Sequence, residues 1–351
     1  MSVIHSPMET LLGIVLHTIG GFSSASFYVP TYRIKKWAWE SYWLLLGFVA
    51  WVVMPPIGCW LVAKDPITIY QSTSSSALFF TYLFGALWGF GGLFAGLGIR
   101  YMGLALGQSI SLGVCSVVGT LVPAAMNGSL GSLFSTFPGL IVTGGLVISI
   151  VGIVFCGIAG HQKEKELAGS EKDVASEFSM VKGLIIAVIG GVMSACMAIA
   201  ILFGEPIAKA AVASGTADIF MNIPIFVIAL AGGFTTNFVY VAIRSRGKDY
   251  LSNLFNTKID TFSRNYFLAT LAGVMWYLQY FFYGMGSTKM TGYEFASWCI
   301  HLTTIVLFSN IWGLWLKEWK GVSSRTMINL GVGIVLLIVS IFMIGWGNYA
   351  G

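Results

Sequence analysis

Apolar residues in this chain come in long runs broken by short polar stretches, with no alternating pattern and no narrow helical stripe. Each run is about as long as a bilayer is thick. A membrane-spanning helix needs roughly 20 mainly apolar residues. By that measure ten spans are predicted, at 10–29, 41–62, 78–98, 103–125, 138–159, 182–203, 218–241, 265–286, 294–316 and 326–347. Most connections are short. The longer ones are 160–181, which is polar and mixed in charge, and 242–264. The expected fold class is therefore an all-α polytopic membrane protein with ten transmembrane helices. The segment 161–181 acts as a linker between a five-helix unit over 1–160 and another over 182–351.

The two units resemble each other. GIVLHTIGGFSSASF (13–27) aligns without gaps to GLIIAVIGGVMSACM (183–197), and Gly85, Trp88, Gly96 and Gly98 of the third span match Gly273, Trp276, Gly284 and Gly286 of the eighth. Because five is odd, the second copy begins on the opposite side of the membrane. The pattern predicts two inverted five-helix repeats, an architecture in which solute sites lie near the bilayer midplane between the copies. The glycine pairs Gly20–Gly21, Gly91–Gly92 and Gly190–Gly191 read as points where helices cross closely.

Composition narrows the class. The chain has 351 residues, 56% hydrophobic and 9% charged, with mean hydropathy +0.82. Soluble domains carry about 25% charged residues. Residues 1–10 lack a basic leader, so the first run is expected to be a retained span. Sixteen of the 19 Lys and Arg residues fall in loops after odd-numbered spans, and only Lys64, Lys209 and Lys289 lie on the other side. The basic loops are thus expected in the cytoplasm, with both termini outside. A net charge of +5 spread over short loops is no nucleic-acid signal. Cys59, Cys115, Cys156, Cys196 and Cys299 all sit in apolar runs and read as small core residues, with no disulfide framework or metal site.

The candidate chemistry starts from Leu271–Gly286, LAGVMWYLQYFFYGMG. Trp276, Gln279, Tyr280 and Tyr283 occur at i, i+3, i+4 and i+7, on one helical face. An unpaired amide in hydrocarbon costs several kcal/mol, so this face should turn inward, where it suits a neutral polyhydroxylated solute. Glu40, Glu205, Asp218 and Glu294 lie near span ends, and the deep ionisable groups are His17 and His301. At about 1.5 Å per residue, His17, His301 and Gln279 each lie roughly 10 Å below the outer end of their spans. Around that layer, His17, Gly20, Gly21, Ser24 and Tyr28 share a face of span 1. Ser297, His301, Thr304 and Phe308 share one of span 9, and Gln108, Ser111 and Cys115 one of span 4. Trp88 joins them from span 3. Trp37, Trp39, Trp43, Trp315 and Trp319, near span ends, read as interfacial belt residues.

Motifs of hydrolases, zinc proteases and nucleotide-binding loops are absent from the sequence. The expectation is no enzyme, no catalytic residue, no metal and no cofactor, with transport driven by a gradient. Histidine gains and loses a proton near neutrality, which makes His17 and His301 the proton-coupling candidates. The expected partners are a small sugar, a proton and the lipid bilayer, with no nucleic acid and no obligate protein partner.

SFYVPTYRIKKWAWESYW (26–43), LFGALWGFGGLFAGLGIRYMGLALG (83–107), GVMWYLQYFFYGMG (273–286), SWCIHL (297–302) and GLWLKEW (313–319) resemble the bacterial L-rhamnose–proton symporter family, within the drug/metabolite transporter superfamily. The resemblance implies ten helices in two inverted repeats, the bacterial inner membrane, and symport of L-rhamnose or a similar deoxyhexose with a proton. GGLFAG (91–96) stands where that family typically carries asparagine, and the match is loose at 203–206 and Asn222, which leaves sugar choice open. The rival readings are a carrier or exporter of another small metabolite, and a membrane sugar sensor without flux.

Overall fold

A computed structural model describes residues 7–102, 104–167, 180–258, 260–290 and 295–350. Those residues form ten long helices: α1 (Pro7–Ser26), α2 (Trp39–Val62), α3 (Ser75–Met102), α4 (Leu104–Met126), α5 (Phe137–Leu167), α6 (Met180–Phe203), α7 (Ile223–Arg244), α8 (Phe262–Ser287), α9 (Ala296–Trp315) and α10 (Ser324–Ala350). No strand occurs among the described residues. Nine of these helices are long and apolar enough to cross a membrane. The remaining one, α8, has the length at 26 residues, but its tyrosines, tryptophan and glutamine lower its hydropathy. It tolerates them because that face is buried.

Expected and observed boundaries agree to within about five residues, except where α5 runs on to Leu167 and takes up the start of the expected linker. Residues 168–179, Glu294 and the side chain of Arg100 lie outside the described residues. Short helical turns at Pro66–Ser72, Leu130–Ser135 and Glu205–Ala213 fill connections where no helix was expected. Asp65 caps the first of them by accepting from the Thr68 N–H at 3.2 Å, the usual way a helix start satisfies its free donors.

Packing crosses between the two units. α1 lies against α8 and α9, while α6 lies against α3 and α4. α5 pairs with α10, and α7 packs on α3 and α2. Small residues set these distances. A Cβ on Gly191 of α6 would lie 2.6 Å from the Ser111 carbonyl oxygen of α4, and one on Gly91 of α3 would lie 2.5 Å from the Ser194 amide of α6. Gly20, Gly21, Gly91 and Gly191 thus mark the crossings that the glycine pairs suggested, whereas a Cβ on Gly92 would meet nothing within 4 Å.

α2 is not a uniform α-helix. Val49–Val53 form a wider turn in which the Met54 N–H donates to the Val49 carbonyl, five residues back. The cause lies just ahead in the sequence. Pro55 and Pro56 have no N–H to offer the carbonyls four residues before them, and their rings would collide with those carbonyls. The ladder therefore switches register at this point.

At the end that carries most basic loops, ion pairs join distant segments: Lys36 to Asp260 at 2.9 Å, Arg244 to Glu40 at 2.5 Å and Lys163 to Glu318 at 3.1 Å. Asn265 donates to the Lys35 carbonyl at 2.7 Å, and Asn253 accepts from the Ala38 N–H at 2.7 Å. Lys36 ammonium holds the Asp260 carboxyl below the usual carboxylate range.

Candidate functional site

The face predicted on α8 is buried. Trp276, Gln279, Tyr280 and Tyr283 are all under a tenth exposed, and α1 and α9 bring the two histidines to it. His17 is 0% exposed and His301 1%. Their ring centroids lie 6.3 Å apart. Tyr283 sits between them, 5.3 Å from His17 and 5.2 Å from His301, and Tyr280 lies 6.3 Å from His301. Two imidazoles and two phenols from three helices thus form one cluster.

Glycines and one hydroxyl make this approach possible. A Cβ on Gly286 of α8 would stand 3.0–3.1 Å from ring atoms of His17. A Cβ on Gly20 would lie 2.9 Å from the Gln279 carbonyl oxygen and 3.4 Å from His301 Cε1. That places the Gln279 backbone beside His301, while His17 faces Gly286, seven residues further along α8. Gly21 leaves room for Thr304, whose hydroxyl donates to the His17 carbonyl at 3.2 Å and to the His301 carbonyl at 2.8 Å. The helices bearing the two imidazoles are therefore tied through their backbones as well as through the packing of the rings. Both nitrogens of both rings are buried without a hydrogen-bond partner among the described residues. Buried polar groups in folded proteins are nearly always paired, so four such atoms in one cluster call for an explanation. Ionisable groups inside a membrane protein are candidates for function by default.

The cluster continues deeper as a series of aromatic contacts. Trp276 lies 5.4 Å from Tyr280 and 5.7 Å from Trp88, and Trp88 meets Tyr280 edge-on at 6.3 Å. Residues that sequence reasoning passed over complete it. Trp51 of α2 lies 5.2 Å from Trp276 and 5.9 Å from Trp88. Phe226 of α7 lies 5.1 Å from Tyr280. Trp298 of α9 meets Tyr283 at 5.8 Å, while its indole N–H donates to the Cys115 carbonyl of α4 at 3.2 Å. The WVVMPP string was the available signal for Trp51, since a proline pair about four turns into a span foretells an irregular helix.

Not every expected residue joins the cluster. Ser24 and Ser111 are buried, Ser111 at the crossing of α4 with α6. Tyr28 falls beyond α1 and is 53% exposed, and Gln108 is exposed near the start of α4. Two of the expected belt residues turn inward instead: Trp37 meets Tyr266 at 5.2 Å, and Trp319 lies under the Lys163 ammonium at 4.7 Å. No group of three or more His, Cys, Asp or Glu able to hold a metal occurs among the described residues. A cleft of about 150 Å³ lined by Pro56, Cys59, Trp60, Pro66, Ile67, Tyr70 and Val227 lies outside the cluster, and its walls are mostly apolar.

The sequence profile of the L-rhamnose-proton symport protein (RhaT) family matches residues 8–350. The chain is 35% identical to an L-rhamnose-proton symporter of Cronobacter sakazakii over 339 residues, covering 96% of this chain and 97% of that one. It is 36% identical to an L-rhamnose-proton symporter of Escherichia coli and 35% identical to one of Shigella flexneri, with the same coverage.

Proposed function

The chain belongs to the L-rhamnose-proton symport protein family, and we propose that it takes up L-rhamnose or a closely related deoxyhexose together with a proton, by alternating access. Its relatives carry the name of transporters, not enzymes. The observation that carries the mechanism is the pair of buried imidazoles whose four nitrogens have no partner. An imidazolium in an apolar interior is costly unless polar groups surround it. Sugar hydroxyls beside His17 and His301 supply that company, so proton and sugar each favour the other's binding. Linkage makes the effect reciprocal.

In this reading Gln279 and His301 bond the hydroxyls, Trp276, Tyr280, Tyr283 and Trp88 flank the ring of the sugar, and His17 or His301 carries the proton. Ser24 and Ser111 lie in the surrounding helix contacts. Tyr28 and Gln108, outside the cluster, take no first contact. The ten helices act as two inverted repeats that rock about this site. That arrangement is supported by the packing: α1 on α8 and α9 has its counterpart in α6 on α3 and α4, each helix five places along the chain from its match. The basic end faces the cytoplasm of a bacterium, in its inner membrane, with both termini outside; the distribution of Lys and Arg supports this. The glycines of GGLFAG (91–96) favour one variation, a sugar other than L-rhamnose itself, which a thermal-shift screen over deoxyhexoses and hexoses reads directly.

The test is uptake into vesicles with an acid-outside pH gradient. Labelled L-rhamnose should accumulate, and a protonophore should abolish the accumulation. Accumulation that survives the protonophore overturns proton coupling, and absence of uptake overturns the choice of sugar.

A further inference from the structure

Trp51 lies outside the imidazole cluster, yet three independent features single it out. Its indole is 3% exposed, and its N–H has no hydrogen-bond partner among the described residues. It belongs to the widened turn Val49–Val53, and such turns are frequent at functional sites because they re-aim a side chain. It stands edge-on to both Trp88 and Trp276, at interplanar angles of 88° and 80°. Each of the three indoles comes from near the middle of its helix, α2, α3 and α8, so together they lie near the depth where transporters of this architecture bind solute. Trp88 is half-buried, so the cage is not closed on every side.

A cage of aromatic rings holding one unspent N–H matches a sugar, which offers a C–H face and hydroxyls together. We infer that Trp51 is a substrate-binding residue: its indole N–H donates to a hydroxyl of the sugar, while the rings of Trp51, Trp88 and Trp276 pack against the sugar's C–H face. The inference rests on the transport reading above and extends the site from the histidine layer down to α2. The Pro55–Pro56 pair then has a functional consequence, since it produces the turn that aims the indole. Gly47 has one as well, because a Cβ there would stand 2.7 Å from the Trp51 ring.

The experiment measures KM in proteoliposomes for L-rhamnose and for analogues lacking one hydroxyl each, with wild-type protein and Trp51→Phe. Phenylalanine keeps an aromatic ring and removes the N–H. Loss of one neutral hydrogen bond should raise the KM for L-rhamnose roughly three- to tenfold. One analogue, the one lacking the bonded hydroxyl, should be penalised in wild type and not further penalised in the variant. A KM within twofold of wild type overturns the assignment. So does an equal rise for L-rhamnose and every analogue, the outcome expected if the N–H were aimed only at a neighbouring indole face. Should Trp51→Phe fail to insert, Gly47→Ala displaces the indole without removing it. The same hydroxyl-specific pattern is expected there, and an unchanged KM counts against the inference. Wild-type protein that takes up no L-rhamnose overturns the choice of sugar, and this assignment to an L-rhamnose hydroxyl with it.

Discussion

The two places where one half of the molecule crosses the other are built alike and filled differently. At the first, α1 passes α8 and α9, and Gly286 faces the imidazole of His17. At the second, α6 passes α3 and α4, and Gly98 faces Ala187, whose Cβ would lie 3.3 Å from a Cβ on that glycine. In the alignment of the two halves Gly98 answers Gly286 and Ala187 answers His17. One crossing carries two imidazoles, an amide and two phenols. The other carries glycine, alanine and serine. Close approach of helices and the chemistry proposed for the site are therefore separable: both crossings have the first, and one carries the residues proposed for the second.

The largest effects expected from breaking this asymmetry come from the imidazoles. His17→Ala and His301→Ala each remove a ring from the first crossing and leave the second untouched. At least one should lose the pH dependence of sugar affinity, a coupling worth roughly 5- to 150-fold, while still exchanging sugar down its gradient. Binding measured by calorimetry across neutral pH, alongside counterflow, checks this, and normal coupled uptake by both variants would remove the histidines from the mechanism.

An intermediate effect separates packing from chemistry. Gly286→Ala forces a methyl group to within 3.0 Å of the His17 ring, and overpacking of this kind costs about 1–3 kcal/mol. Gly98→Ala meets the Ala187 methyl group at 3.3 Å, which asks for a smaller adjustment. Thermal unfolding and uptake measured together should show Gly286→Ala reduced in both and Gly98→Ala reduced less. Equal behaviour of the two would mean that the crossings do not differ as described.

The smallest effect lies at the basic end. Lys36 and Asp260 are both well exposed, and exposed ion pairs contribute little. A carboxyl with a depressed pKa adds stability above the ordinary carboxylate range and loses it as pH falls through its lowered value. Lys36→Ala should bring the Asp260 titration back toward the ordinary range, as followed by carboxyl NMR shifts, and leave neutral-pH uptake unchanged.

Much of this was legible in the sequence, for reasons that differ between residues. The span expected at 103–125 is observed as Leu104–Met126, because a run of apolar residues long enough to cross hydrocarbon has few other options. His17, Gln279 and His301 stood out because a polar group at that depth is costly enough to need a purpose. Trp51 did not, since an indole within an apolar run looks like any other core side chain; its unpaired N–H, its place in the wide turn and its two edge-on indole neighbours together set it apart. Trp37 and Trp319 misled for the converse reason: nearness to a helix end suits a belt residue equally well whether the ring points out or in. Tyr28 lies in the helical turn Tyr28–Thr31 that carries on from α1, but its ring is 53% exposed at the end of that span and so stands apart from the buried cluster.

The wide turn in α2 also acts on the rotational phase of that helix. Each residue of an α-helix advances it by about 100°, so a turn holding one more residue than usual rotates everything beyond it relative to everything before it. Up to the start of the turn, Leu46 and Val49 of α2 lie against Gly273 of α8; beyond it, Gly58 makes room for the hydroxyl of Tyr277. The two contacts lie on one face of α8, at i and i+4. The two segments of α2 meet that face in register only because the turn offsets one against the other. Gly58 meets Tyr277 with the turn in place, so the spacing between Gly47 and Pro55 sets the angular alignment of the helix along its whole length.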